Sequence, residues 1–118
     1  MYILNLTQHA ASPVQIEAGV EDMTGDRREK LISLMTFTNL PTSNEVATRA
    51  LRIALLAHHT RTSYAMIGGA PYLMAALVSA LKRYGVTALF AYSERVSVED
   101  TATGTKTSVF KHLGFVEA

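Results

Sequence analysis

Three short stretches carry the residue types that could do chemistry. Thr7-Gln8-His9 follows an apolar run, Tyr2 to Leu6, and is followed by Ser12-Pro13. A histidine just beyond a buried strand can donate, accept or shuttle a proton near neutral pH. Thr7 and Gln8 add hydrogen-bonding groups beside it. Gly68-Gly69-Ala70-Pro71 follows a second apolar run, Tyr64 to Ile67. Glycine lets the backbone approach a ligand closely, and the free N–H groups of the helix start that follows can hold an anion. Ser93-Glu94-Arg95 follows a third run, Val86 to Tyr92. Arg95 brings a permanent, forked cation that fits phosphate or carboxylate, and Ser93 adds a hydroxyl. Together these groups suit a small phosphate-bearing ligand, with His9 and Arg95 as candidate catalytic residues and Thr7, Gln8, Gly68, Gly69, Ala70 and Ser93 as candidate binding residues.

Each stretch also has a plainer reading. Gly-Gly between strand and helix is ordinary tight-turn geometry, and it matches neither the dinucleotide fingerprint nor the phosphate loop with Lys-Ser/Thr. His9 could be a solvent-facing turn residue, and Arg95 has Glu94 and Glu99 beside it as ribbon partners. Serine is common at strand ends. His58-His59 invites a metal reading, but neighbouring helix residues point in different directions and no carboxylate follows at a ligand spacing. Stabilising a helix C-terminus is the better role. No metal or cofactor is expected. Lys111-His112 reads as a solvated edge. Leu73, Met74 and Leu77 read as core.

Positioning these groups falls to elements that the apolar spacing outlines. Tyr2 to Leu6 is near-continuously apolar, as in a strand covered on both faces, with Asn5 the exception. Ser12 as N-cap, Pro13 in the first turn and Gln15 closing a capping box start a short helix that Gly19 stops. A helix from Thr24 or Asp26 follows. Thr36 to Pro41 is loop, and Thr42 with Glu45 forms a second capping box opening a long helix that ends near His58-His59. Pro71 opens another helix, through Leu73, Leu77, Val78 and Leu81, which Gly85 stops. Val86 to Tyr92 is the third strand. Val96 to Glu99 and Lys106 to Phe110 form a ribbon around Ala102-Thr103-Gly104, and Leu113 to Val116 extends its second arm. Strands alternating with helices imply an α/β, Rossmann-like domain over residues 1–118. Its sheet is mainly parallel and flanked by helices, with an antiparallel C-terminal β-ribbon. In such folds ligands bind beyond the carboxyl ends of the strands, so the three polar stretches are expected to gather on one edge.

The bulk numbers narrow the function classes. At 118 residues, 48% hydrophobic and 18% charged, the chain has globular composition and room for one core. A net charge of +1 is too small for a protein that grips long nucleic acid by its phosphates. The chain has no cysteine, so disulfides and thiolate metal sites are excluded. The N-terminal apolar run is too short for a signal peptide, and Ala70 to Leu81 is far short of a membrane span. A cytoplasmic protein is expected.

The opening Ile3-Leu4-Asn5-Leu6-Thr7-Gln8-His9, with Ser12-Pro13 and Gln15, resembles that of small CRISPR-associated ring nucleases and related CARF-like, Rossmann-like proteins. Their first strand runs into an Asn-aromatic-Ser-His-Pro turn and a Thr-Pro-x-x-Gln-like helix start. Gly69-Ala70-Pro71 before an Ala/Leu-rich helix, Lys82-Arg83-Tyr84-Gly85 at its end, and a following strand with Arg95 continue the likeness. Gln8 stands where the family turn has its compact Ser-His, and residues 22–62 carry an additional helical region. The resemblance implies a homodimer that binds a cyclic oligoadenylate second messenger of antiviral defence across its axis and opens the ring without a metal. Arg95 and the Gly68-Gly69 backbone would hold phosphate, and His9 would be the acid or base.

Three functions therefore stand side by side. The first is a ring nuclease, in which His9→Ala costs turnover and little affinity. The second is a sensor or sponge that binds the nucleotide-like ligand without chemistry. The third is an interaction module of a phage or mobile element, working through the exposed ribbon from Val96 to Phe110.

Overall fold

A computed structural model describes residues 1–118. The elements run β1 (Ile3–Asn5), α1 (Pro13–Glu17), β2 (Val20–Asp22), α2 (Gly25–Met35), α3 (Ser43–His59), β3 (Tyr64–Ile67), α4 (Pro71–Arg83), β4 (Thr87–Asp100) and β5 (Thr105–Glu117). They build one five-stranded sheet in the order β2-β1-β3-β4-β5. β1 to β4 are parallel, and β5 returns antiparallel to β4. The α/β fold with a mainly parallel sheet and an antiparallel C-terminal pair is thus the architecture observed.

Strand order explains how the helices divide. From β1 the chain steps one way to β2, then returns across β1 to β3 and continues to β4. Right-handed crossovers put α1 on one face of the sheet and α2, α3 and α4 on the other. The two apolar clusters follow this division. Leu4, Leu6, Ala65, Ile67 and Ala88 meet Leu31, Leu34, Ile53, Ala57, Leu73, Leu77 and Leu81 in the larger one. Ile3, Val20, Met66 and Leu89 form the smaller, with Ala11, Tyr64 and Phe115 around them. Alternation along each strand sorts these residues between the faces.

Local chemistry sets the element ends. Ser12 caps α1 with a complete capping box: Ser12 Oγ accepts from the Gln15 N–H, and Gln15 Oε1 accepts from the Ser12 N–H. At α3 only half of the expected box forms. Thr42 Oγ1 accepts from the Glu45 N–H at 3.1 Å, but the Glu45 carboxylate turns outward to Arg49, 2.9 Å away. Arg49 also donates to the Thr36 carbonyl and lies over the Phe37 ring, so it ties the 36–41 loop to α3. His58, at the end of α3, packs on Tyr84 with ring centroids 5.0 Å apart.

Two features depart from the sequence reading. The sequence reading places no strand between Gly19 and Thr24, yet Val20–Asp22 pairs with β1 as an edge strand. Gly19 makes this possible: at φ +107°, a Cβ there would sit 1.9 Å from the Met1 carbonyl oxygen. The third strand was expected to end at Tyr92. Instead β4 continues to Asp100, paired with β5 along its whole length, with a register shift at Tyr92/Ser93 where Leu113 is the extra residue. A bulge there bends the pair, and it leaves the sheet as a free ribbon. No residue beyond Leu89 is buried.

Candidate functional site

Order β2-β1-β3 places the topological switch point between β1 and β3. A crevice must open beyond their carboxyl ends, because the chain leaves them toward opposite faces. A cavity of about 380 Å³ lies there. Met66, Ile67, Phe90 and Ala91 give it an apolar floor, and Thr7, Gln8, His9, Gln15 and the Gly68-Gly69 backbone form its rim.

The Thr7-to-His9 turn is held from below by Asn5. This side chain is fully buried, and all four of its hydrogen-bonding positions are used. Nδ2 donates to the His9 carbonyl at 2.8 Å and to Asp22 Oδ1 at 2.7 Å. Oδ1 accepts from the Thr7 N–H at 2.9 Å and from Thr7 Oγ1 at 2.7 Å. Asp22 is the register partner of Asn5 on β2, and its carboxylate also accepts from the Ala11 N–H at 3.0 Å. One amide and one carboxylate thus fix both ends of the turn, and the His9 side chain stands exposed on top. Gln8 Nε2 donates to Thr36 Oγ1 at 3.0 Å, which ties the turn to the end of α2.

On the other rim, Gly69 has φ +154°, and a Cβ there would lie 3.3 Å from Met35 Cε and 3.4 Å from Met74 Cε. Only glycine occupies this conformation without strain. α4 begins at Pro71, and its N-cap residue Ala70 provides no side-chain cap. Gln15 borders the crevice from the α1 side. The capping box assigns its oxygen to the Ser12 N–H, so its Nε2 hydrogens remain for a ligand.

The crevice brings together Thr7, Gln8, His9, Gly68 and Gly69. Ala70 is the next residue along but is not in its lining. Ser93 and Arg95 were expected at the same edge, and the continuation of β4 carries them out along the ribbon instead. Ser93 borders a neighbouring groove. Arg95 pairs in register with Phe110, and its guanidinium carbon lies 5.4 Å from the centre of that ring. The crevice lining therefore contains no Lys, Arg, Asp or Glu, and His9 is its one titratable side chain. No three His, Asp or Glu side chains converge into a metal-sized cluster elsewhere. Sequence reasoning passed over Asp22 and treated Asn5 as an exception. The usable signal was a polar residue inside an apolar strand, which demands a partner.

Residues 1–116 fit the model of a family described as "Uncharacterized protein MJ1673 family". Neither the curated proteins nor the solved structures contain a match.

Proposed function

We propose that this chain, which belongs to the MJ1673 family, binds a cyclic oligoadenylate in the crevice between β1 and β3 and opens the ring without a metal. The observation that carries this reading is the switch-point crevice. It has an apolar floor for ribose or base and a rim of hydrogen-bond donors. A single histidine is held beside a glycine pair that admits a phosphate. In the reaction, a ribose 2′-oxygen attacks the adjacent phosphorus, the bond from phosphorus to the 5′-oxygen breaks, and a 2′,3′-cyclic phosphate remains. His9 takes the 2′-hydroxyl proton or supplies one to the departing 5′-oxygen. Gln8, Gln15 and the Gly68-Gly69 backbone hold the phosphoryl group in line.

The crevice volume, at the lower end of the roughly 300–1,000 Å³ usual for small-ligand sites, suits about one nucleotide. A cyclic tetramer or hexamer then needs two crevices facing each other, which favours a homodimer with the ring on its axis.

A second reading, binding without cleavage, draws on the absence of any fixed cation in the crevice lining. Phosphoryl transfer gains most from positive charge at the reacting phosphate, and Arg95 lies out on the ribbon. Incubation with cyclic tetra-adenylate and cyclic hexa-adenylate in EDTA, with a parallel binding titration, separates the readings. Linear products ending in a 2′,3′-cyclic phosphate support the nuclease. Tight binding with an intact ring supports a sponge or sensor. No binding of either ring rejects both.

A further inference from the structure

Beside the crevice runs a second groove, about 480 Å³ in volume, between α1 and the root of the ribbon. Gln15 lines both cavities, so the two adjoin at its side chain. The chemistry changes along the way. The crevice offers neutral donors and an apolar floor. The groove is lined by Ser93, Val96, Val109, Lys111 and an aromatic residue, Phe110, and Lys111 is the register partner of Glu94. His112 lines the same wall, and its Nδ1 is sealed from solvent without a protein partner.

Phe110 is the unusual member. It is 73% exposed, which is costly for a large aromatic side chain that covers no core. Its ring is nonetheless supported: Arg95, which is outside the groove lining, lies over it at cation–π distance. A phenyl ring backed by a guanidinium and bordering a groove is a stacking platform of the kind that single-stranded nucleic-acid sites use.

Resting on the nucleotide-binding reading above, we propose that this groove is a second subsite of the same ligand. It would receive the base of the adjoining nucleotide on Phe110. Arg95 is then a positioning residue that holds the Phe110 ring. The groove makes one chain a reader of two consecutive nucleotides, so selectivity for an oligonucleotide over a mononucleotide resides at the ribbon root.

The test compares adenosine 5′-monophosphate, the 5′-phosphorylated linear di-adenylate and cyclic tetra-adenylate, titrated against wild type, Phe110→Ala and Phe110→Trp. One base–aromatic stack corresponds to about a 5- to 150-fold change in affinity. Wild type should bind the dinucleotide at least about fivefold more tightly than the mononucleotide. Phe110→Ala should remove that difference and leave mononucleotide affinity unchanged, and Phe110→Trp should keep it. The ring is exposed and outside the core, so these variants should retain the wild-type circular dichroism. Equal dinucleotide affinity in wild type and Phe110→Ala overturns the groove while leaving the crevice reading intact. A parallel loss for both linear ligands also overturns it. Failure of wild type to bind any of the three ligands overturns both.

Discussion

Asn5 decides the geometry of the crevice from beneath. It is a polar side chain at the end of a strand buried on both faces, which is tolerable only because every donor and acceptor on it is matched. Asn5→Asp removes both donors and sets a second carboxylate against Asp22 without water to separate them. We expect a loss of about 3 kcal/mol or more in unfolding free energy, measured in urea. His9 contrasts with it. Its backbone is pinned through its carbonyl, while its side chain has no bond to lose. His9→Ala should leave folding unchanged and hold ring affinity within about twofold. If the nuclease reading holds, ring opening should fall by about 10²- to 10⁴-fold under single-turnover conditions. A variant that cleaves at the wild-type rate removes His9 from the chemistry.

At the scale of elements, the site is made by two strand ends and the way each chain segment leaves them. β1 exits through the Asn5-bound turn into α1, and β3 exits through Gly68-Gly69 into α4. The second exit depends on the backbone conformation of Gly69. Gly69→Ala should cost about 1–3 kcal/mol, chiefly from forcing a side-chain-bearing residue into that region. The methyl group itself meets only the mobile ends of Met35 and Met74. Thermal unfolding reads the stability, and the same sample titrated with cyclic tetra-adenylate should show weaker binding, because the rim shifts with the backbone.

For the whole molecule, the shape is set by the ribbon. The radius of gyration is 16.1 Å, against about 13.5 Å for a compact chain of this length, and the longest dimension is 53 Å. No helix is long and apolar enough to cross a membrane. Because nothing beyond Leu89 is buried, replacing residues 96–109 with an Asn-Gly turn should change unfolding free energy by less than about 1 kcal/mol, measured by denaturation. It should also weaken the dinucleotide preference without abolishing it, because Val96 and Val109 are lost from the groove while Phe110 and Arg95 stay. A second prediction concerns stoichiometry. If two crevices share one ring, native mass spectrometry should find one cyclic oligoadenylate for every two chains. One ring per chain would separate the ligand from any dimer axis.

Sequence alone determined what depends on near neighbours. Apolar runs marked β1 and β3, Ser12, Pro13 and Gln15 marked the start of α1, and Gly68-Gly69 marked the turn into α4, since periodicity, caps and glycine turns act over a few residues. With right-handed crossovers, alternating elements were enough to read the α/β class and to place Thr7, Gln8 and His9 at a strand end. Tertiary structure decided what depends on pairing between distant segments. Val20–Asp22 is a strand because β1 offers it an edge, and three residues carry too short a pattern to announce one. β4 runs past Tyr92 because β5, returning from the far side of the turn, satisfies its backbone through Asp100. That pairing moves Arg95 away from the crevice and onto Phe110. The partner of Asn5 likewise lies 17 residues away, at Asp22, and only the register of two parallel strands brings the amide and the carboxylate together.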